Sequence, residues 1–471
     1  MTQSRPVRTL YTVDLFAGAG GLSLGFQEAG FHPLAANDFD ASAGETFAAN
    51  FPESPFIAGP IEQVTGRQLL GTAGLKAGDL DALLGGPPCQ AFSVYNHQRG
   101  FHDERSGLFR EYLRVVKELM PKVVVMENVV GMTSLDGGRA IDEMHSSLGK
   151  LGYAVEHRIL RAEEYGVPQE RRRIFFIGSR VGPIVWPEAS HGRHDDLLTA
   201  HLDPFVTVWD AIGDLPKLEM GEGADDLRRY TRVARTDYQA RLRDGSEGVT
   251  NHFAPKLMEV NVKRMKHIPP GGSWRDLPRN LLPAGMKLAR RSDHTKRYGR
   301  LDPDGLFSTI LTKADLHWGA YIHPEQDRTL TVRECARAQS FPDRFRLVGS
   351  RGEQYKQIGN AVPPMLGRAV GWSVRKMLGA VQQERQLGRK VVGSCSAESH
   401  CGVSWRARRL DAHTRHSRIP LPVYRRYMHQ VQSNAGCSGS SLLDLQARCD
   451  AGDRRPRGIA GVHLPEAIFR D

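Results

Sequence analysis

The sequence predicts an α/β chain built on a mostly parallel sheet. Three observations carry that prediction. Strand-like and helix-like runs alternate through the first 180 residues, as βαβ units require. A Gly-rich turn follows directly on the first strand-like run. Polar and glycine-rich stretches sit just past the strand ends, where ligands bind in such sheets.

Residues 11–16 read as a buried strand, and 22–29 as an apolar-periodic helix. Residues 33–38 are a second strand, followed by a helix over about 42–50. A short strand at 79–84 ends in Gly85-Gly-Pro-Pro88. A helix over 107–120 is stopped by Pro121, and 122–126 is a β-branched strand. A helix at 141–151 and strands at 154–160 and 173–177 complete the alternation. From about 181 to 323 the pattern dissolves into a stretch rich in Gly, Pro, Arg and His. It includes Arg228, Arg229, Arg232, Arg235, Lys263, Arg264, Lys266, Arg290, Arg291, Lys296 and Arg297. Helices resume at 331–339, where Thr331 and Glu334 have capping-box spacing, and at 363–377. Residues 391–471 hold 12 Arg, no Lys and 7 acids, with weak periodicity. The division expected is 1–180, 181–327, 328–385 returning to the first part, and a basic tail over 386–471.

The 471 residues are 40% hydrophobic and 25% charged, values that exclude a wholly disordered chain. Lys and Arg exceed Asp and Glu by 64 − 53 = 11, which points to a polyanionic partner, nucleic acid first. No run approaches the ~18 apolar residues of a membrane helix. Residues 1–10 are too short and too soon interrupted for a signal peptide, so a cytoplasmic protein is expected. Six cysteines make no disulfide framework. Cys395, Cys401, Cys437 and Cys449 lack a strong zinc spacing, and no metal is expected.

The residues that carry chemistry follow the strands. Asp14-Leu-Phe-Ala-Gly-Ala-Gly-Gly-Leu-Ser-Leu-Gly25 is a strand, a glycine turn and a helix start, with Asp38 at the next strand end. Alone it fits NAD, FAD and S-adenosylmethionine alike. Cys89, in Gly85-Gly-Pro-Pro-Cys-Gln-Ala-Phe-Ser93, lies on the ligand-facing edge, where a thiolate can act as a nucleophile. A merely structural cysteine would sit more naturally inside an apolar run. Glu127-Asn-Val129 puts a carboxyl at the neighbouring strand end. In Gln169-Glu-Arg-Arg-Arg173, Arg171 and Arg173 alternate along an entering strand, so both can point at one site.

Together these segments resemble the DNA (cytosine-5) methyltransferase family, of the bacterial restriction-modification type, in order over about residues 10–375. The segment from Arg328 to Asp343 resembles the motif that buttresses the recognition domain. Gln357-Ile-Gly-Asn-Ala-Val-Pro-Pro364 resembles the motif that closes the cofactor pocket. The resemblance implies a Rossmann-like S-adenosylmethionine-dependent sheet with a smaller, loop-rich target recognition domain. It implies Cys89 attacking C6 of a flipped-out cytosine, Glu127 at N3, and Arg173 with Arg171 fixing the base carbonyl and the thiol loop. The loop 91–105 would close over the DNA. For the cofactor it implies Asp14, the turn Gly18, Gly20 and Gly21, Phe16 and Phe39 about the adenine, Asp38 on the ribose, and Pro87, Asn360 and Val362. Double-stranded DNA, a CG-containing site, a monomer and a paired restriction endonuclease follow as family expectations. One departure stands out. Pro60 occupies the place of the family's adenine-binding acid, so either Glu62 replaces that acid or the adenine amino group has no acid to meet.

Other readings explain less. An RNA cytosine methyltransferase would have a smaller recognition domain than residues 181–327. An amino methyltransferase needs an Asp/Asn/Ser-Pro-Pro-aromatic motif, whereas Pro87-Pro88 leads into Cys89. A non-catalytic DNA-binding regulator would not need Cys89, Glu127 and Arg173 together. A dinucleotide oxidoreductase accounts for the glycine turn alone.

Overall fold

The computed structural model describes residues 8–71, 74–88, 107–193, 196 and 198–394. Cys89, the loop 91–105 and the cysteines of the tail lie outside the described residues.

A seven-stranded sheet organises the chain. Its strands are β1 (Leu10–Leu15), β2 (Phe31–Asp38), β3 (Phe56–Ala58), β4 (Ala82–Gly85), β5 (Val123–Val129), β6 (Ala154–Arg161) and β7 (Arg172–Ser179), in the order β3-β2-β1-β4-β5-β7-β6. The first five are parallel, and β7 runs antiparallel between β5 and β6. The short link from β6 to β7 carries no crossover helix, so it can join only antiparallel neighbours. The expected mostly parallel α/β sheet is therefore present, with one inverted strand at its far side.

Side chains of β5 alternate between two cores. Val123 and Val125 face one, Val124 and Met126 the other. A strand covered on both faces reads as a continuous apolar run. The first face carries α1 (Gly21–Glu28) and α2 (Ala41–Asn50). The second carries α3 (Gly66–Gly71), α4 (Leu108–Leu119) and α5 (Arg139–Lys150). Asp40 starts α2 by accepting from the N–H groups of Ser42 and Ala43. At the end of α4, Met120 takes a left-handed φ of 46° ahead of Pro121. β6 is mostly exposed and carries Glu156, His157, Arg158 and Arg161, polar residues that suit an unpaired edge.

Beyond β7 the chain builds from short pieces. These include α6 (Val208–Ile212), α7 (Asp237–Arg243), α8 (Glu259–Met265) and pairs of two- and three-residue strands. Buried arginines hold this part to the segment that follows it. Arg328 pairs with Glu334 at 2.7 and 2.8 Å. Arg333 donates to the Thr250, Pro342 and Phe345 carbonyls. Arg337 bridges Asp343 and Asp214, both at 2.5 Å. Arg328, Arg333 and Glu334 belong to the turn and first residues of α9 (Val332–Ala338), which Thr331 and Glu334 open as a capping box.

α10 (Arg351–Asn360) and α11 (Pro364–Ser394) then return to the sheet, and α11 extends past the expected end at 377. α11 lies along α1 so closely that a Cβ on Gly25 would fall 2.5 Å from the Pro364 carbonyl oxygen and 2.7 Å from the Gly367 carbonyl carbon. Only glycine permits that approach. Among the described residues, no helix is long and apolar enough to cross a membrane.

Candidate active site

The carboxyl ends of β1, β2, β4 and β5 open into a cavity of about 380 Å³. Its walls include Asp14, Phe16, Gly18, Gly21, Asp38, Phe39, Pro87, Glu127, Arg173, Asn360 and Val362, all singled out in the sequence. Gly20 stands behind the wall instead. It precedes α1 at φ 93°, and a Cβ there would meet the rings of Phe51 and Phe47 at 2.7 and 2.8 Å.

Two carboxylates set the charge of this cavity. Asp14 accepts from the Ser23 hydroxyl at 2.6 Å. Burial raises its pKa to about 7; the Ser23 hydrogen bond opposes the shift and Asp38 adds to it. Asp38 accepts from the N–H groups of Gly18 at 2.8 Å and Asp40 at 2.9 Å, pinning the glycine turn to the end of β2. Burial raises its pKa too, against those hydrogen bonds. Phe39 is 68% exposed at the mouth, and Phe16 takes a left-handed φ of 56°. Neither Pro60 nor Glu62 is part of the wall. Pro60 instead starts a 3₁₀ turn, and Glu62 faces solvent.

At the other end of the cavity, Arg173 Nε lies 2.9 Å from Glu127 Oε1. Burial raises the Glu127 pKa, while Arg173 and Arg171 pull it down. Asn128 steadies this corner. Its amide donates to the Pro87 carbonyl at 3.2 Å, and its side-chain oxygen accepts from Val129 N–H. The structure brings Glu127 and Arg173 together, but turns Arg171 away. Arg171 is buried and outside the cavity wall. It donates to the carbonyls of Ile310, Gly359 and Ala361 at 3.3, 3.0 and 2.9 Å.

The cavity opens onto a cleft of about 1260 Å³, and the two share Val129, Arg173, Gly359 and Asn360. Arg161, Arg172, Arg297 and Lys313 make the cleft predominantly basic, against Glu163 and Glu170. Trp318 is half exposed on it, with the Arg297 guanidinium 5.2 Å from its ring centre.

Comparison with known proteins decides the family. The C-5 cytosine-specific DNA methylase family matches residues 10–376. The chain belongs to that family. It is 34% identical over 424 residues to the Type II methyltransferase M.AgeI of Thalassovita gelatinovora, covering 77% of this chain and 99% of that one. It is 35% identical over 393 residues to the Type II methyltransferase M.XorII of Xanthomonas oryzae pv. oryzae, covering 78% and 84%. A crystal structure of an E. coli prophage protein, described as a DNA modification methyltransferase, superposes with a TM-score of 0.61 at 25% identity, covering 79% and 100%. The enzyme class of this C-5 cytosine methylase is thereby DNA (cytosine-5) methyl transfer.

Sequence reasoning missed Lys356, whose ammonium pairs with Asp40 at 2.6 Å on the cavity rim. No sequence signal marks it, because α10 has no apolar stripe. It missed Trp318 as well, an exposed aromatic inside a basic region. Several arginines of that region prove structural. Arg264 donates to the Leu281 carbonyl, and Arg300 is buried among the carbonyls of Ile268, His323, Gln326 and Met265.

Proposed function

We propose that this methylase binds S-adenosylmethionine in the cavity and a flipped-out cytosine where the cavity meets the cleft. The observation that carries the reading is the shared wall. Arg173, paired with Glu127, faces both spaces. A cation bearing a ribose and a flat ring suits the accepting carboxylates of Asp14 and Asp38 and the rings of Phe16 and Phe39. When bound, S-adenosylmethionine supplies the methyl group as an electrophilic carbon.

The chain's own residues do the rest. The Cys89 thiolate adds to C6, and the electron pair of the 5,6 double bond shifts toward C5 and, through the C4–N3 bond, onto N3. Glu127, whose pKa burial raises against the pull of Arg173 and Arg171, donates a proton at N3 as negative charge develops there. Arg173 holds Glu127 in place and offers N–H donors to the base carbonyl. After C5 has taken the methyl group, a water acting as base takes the C5 proton, the 5,6 double bond re-forms, the thiolate is expelled, and N3 returns its proton to Glu127. A base inside a duplex is out of reach of such a site, so the cytosine must leave the stack. Residues 181–327 form the recognition part, whose Arg297, Lys313 and Trp318 face DNA across the cleft. A CG-containing target, a monomer and a paired endonuclease are the expectations attached to this reading.

The test is methylation of a mixed-sequence plasmid, read by bisulfite sequencing, with Cys89→Ser in parallel. Resistant cytosines at one short motif, absent with Cys89→Ser, support the reading and identify the site. No protected cytosine from folded wild type overturns it.

A further inference from the structure

Arg171 is a cation with an unusual set of partners. It is 1% exposed, yet no carboxylate lies within ion-pair distance of it among the described residues. Its terminal nitrogens donate to three main-chain carbonyls instead, and its Nε has no partner among the described residues. A guanidinium stays charged even when desolvated, and burying it without a carboxylate is costly. An apolar side chain would fill the space more cheaply. The position therefore does something that packing alone does not require.

The three carbonyls lie on two different surfaces. Ile310 belongs to the DNA cleft, with Leu311 and Thr312 beside it. Ala361 belongs to the wall of the cofactor cavity, and Gly359 lies where cavity and cleft meet. The two segments also touch directly, since a Cβ on Gly359 would fall 2.6 Å from Thr312 N. On the strand side, Thr309 Oγ1 donates to the Glu170 carbonyl at 2.6 Å, and Ile310 N–H donates to Gln169 Oε1 at 3.2 Å. Two residues further along the chain is Arg173, on Glu127. One guanidinium thus holds the floor of the cleft, the closing wall of the cavity and the strand that carries the catalytic pair.

We propose that Arg171 is a positioning residue that couples DNA seating to cofactor binding, by holding the carbonyls of Ile310, Gly359 and Ala361 in one arrangement. The proposal rests on the reading of cavity and cleft under Proposed function. DNA that orders residues 309–312 then orders 359–361 through the shared donor, and a ligand in the cavity does the reverse. Such coupling is reciprocal and is read as the same factor in both affinities.

The experiment uses the full chain and a fluorescent duplex carrying the site mapped by bisulfite sequencing. Duplex affinity is measured by anisotropy with and without saturating S-adenosylhomocysteine, and S-adenosylhomocysteine affinity with and without duplex. Wild type should show a coupling factor of at least about 5-fold, within the usual range of about 5–150-fold. Arg171→Lys, which keeps the charge but not the fork of donors, should lower it to within about 2-fold of unity. Thr309→Val, which removes one tie between cleft and strand, should lower it by about half. General structural damage would instead weaken both separate affinities and leave the factor intact. A wild-type factor of one, or a wild-type factor retained in folded Arg171→Lys, overturns the proposal. Should Arg171→Lys fail to fold, an unchanged factor in Thr309→Val overturns it alone. Wild type that binds neither ligand sinks the underlying reading, and the proposal with it.

Discussion

Asp14 offers a prediction whose size comes from its surroundings. It is the last residue but one of β1, is 2% exposed, and has a carboxyl pKa raised by burial from 3.8 to about 7. The unfolded chain ionises this group near its ordinary value, whereas the folded chain keeps the proton up to about neutrality. The stability that the protonated group contributes is full below pH 3.8 and is lost as pH rises through about 7. Three pH units at about 1.4 kcal/mol each make that loss about 4 kcal/mol. Asp14→Asn preserves the shape and can still accept from Ser23, but does not titrate. Urea unfolding of both proteins from about pH 4 to about pH 8 measures the effect, and other titrating groups cancel in the difference. The Asn variant should gain on wild type by about 4 kcal/mol across that range and be the more stable above neutrality. On the proposed reading of the cavity, the same carboxylate ionises to meet a cationic cofactor. Wild-type affinity for S-adenosylmethionine should therefore fall toward tenfold per unit as pH drops below about 7, and be weak and flat in Asp14→Asn. Unfolding curves that run parallel for the two proteins would refute the assignment of a buried, proton-holding Asp14.

Three further outcomes are expected. Glu127→Gln removes the charge that meets Arg173, and should slow methyl transfer by about 10²–10⁴-fold in single-turnover assays while DNA is still bound. Arg337→Met removes the buried cation that Asp214 and Asp343 share; chemical denaturation should show a loss of about 3–5 kcal/mol. Gly25→Ala places a methyl against the backbone of α11, and should cost about 1–3 kcal/mol and weaken S-adenosylmethionine binding in calorimetry.

The half of the fold that positions the cavity was legible because its signals are local. Val123 to Met126 is apolar throughout, since β5 is covered on both faces, and Pro121 marks where α4 must end. The inversion of β7 was not drawn, although the short link between the strands at 154–160 and 173–177, with no helix read in it, leaves no room for a parallel crossover. α10 escaped notice because buried Gln354 and Gln357 do part of its packing, leaving no hydrophobic period to read. Helical content between 181 and 327 was hidden for a related reason. Segments of two to seven residues are too short to show periodicity. In the site, Asp38 and Glu127 were singled out by their places at strand ends, Asp14 by the glycine turn it leads into, and Arg173 by its place on an entering strand; all four line the cavity. The divergence of Arg171 from Arg173 was not, since alternation along a strand predicts a shared face only while the strand continues. β7 begins at Arg172, and Arg171 lies outside it.

The contact between α1 and α11 has a consequence for how the enzyme is made. The glycine turn and α1 leave the ribosome about 340 residues ahead of Val362 and α11. At about 5–20 residues per second, translation separates the two by roughly 20–70 s. Throughout that interval Gly21 and Gly25 have no wall to meet, and the apolar face of α1 stands uncovered beside the ribosome. The cavity first closes when the return segment emerges. A message cut short before it would still encode Cys89, Glu127 and Arg173, yet yield a cavity that lacks the wall made by Lys356, Gln357, Asn360 and Val362. The cavity is thus completed last, by the segment that is made last.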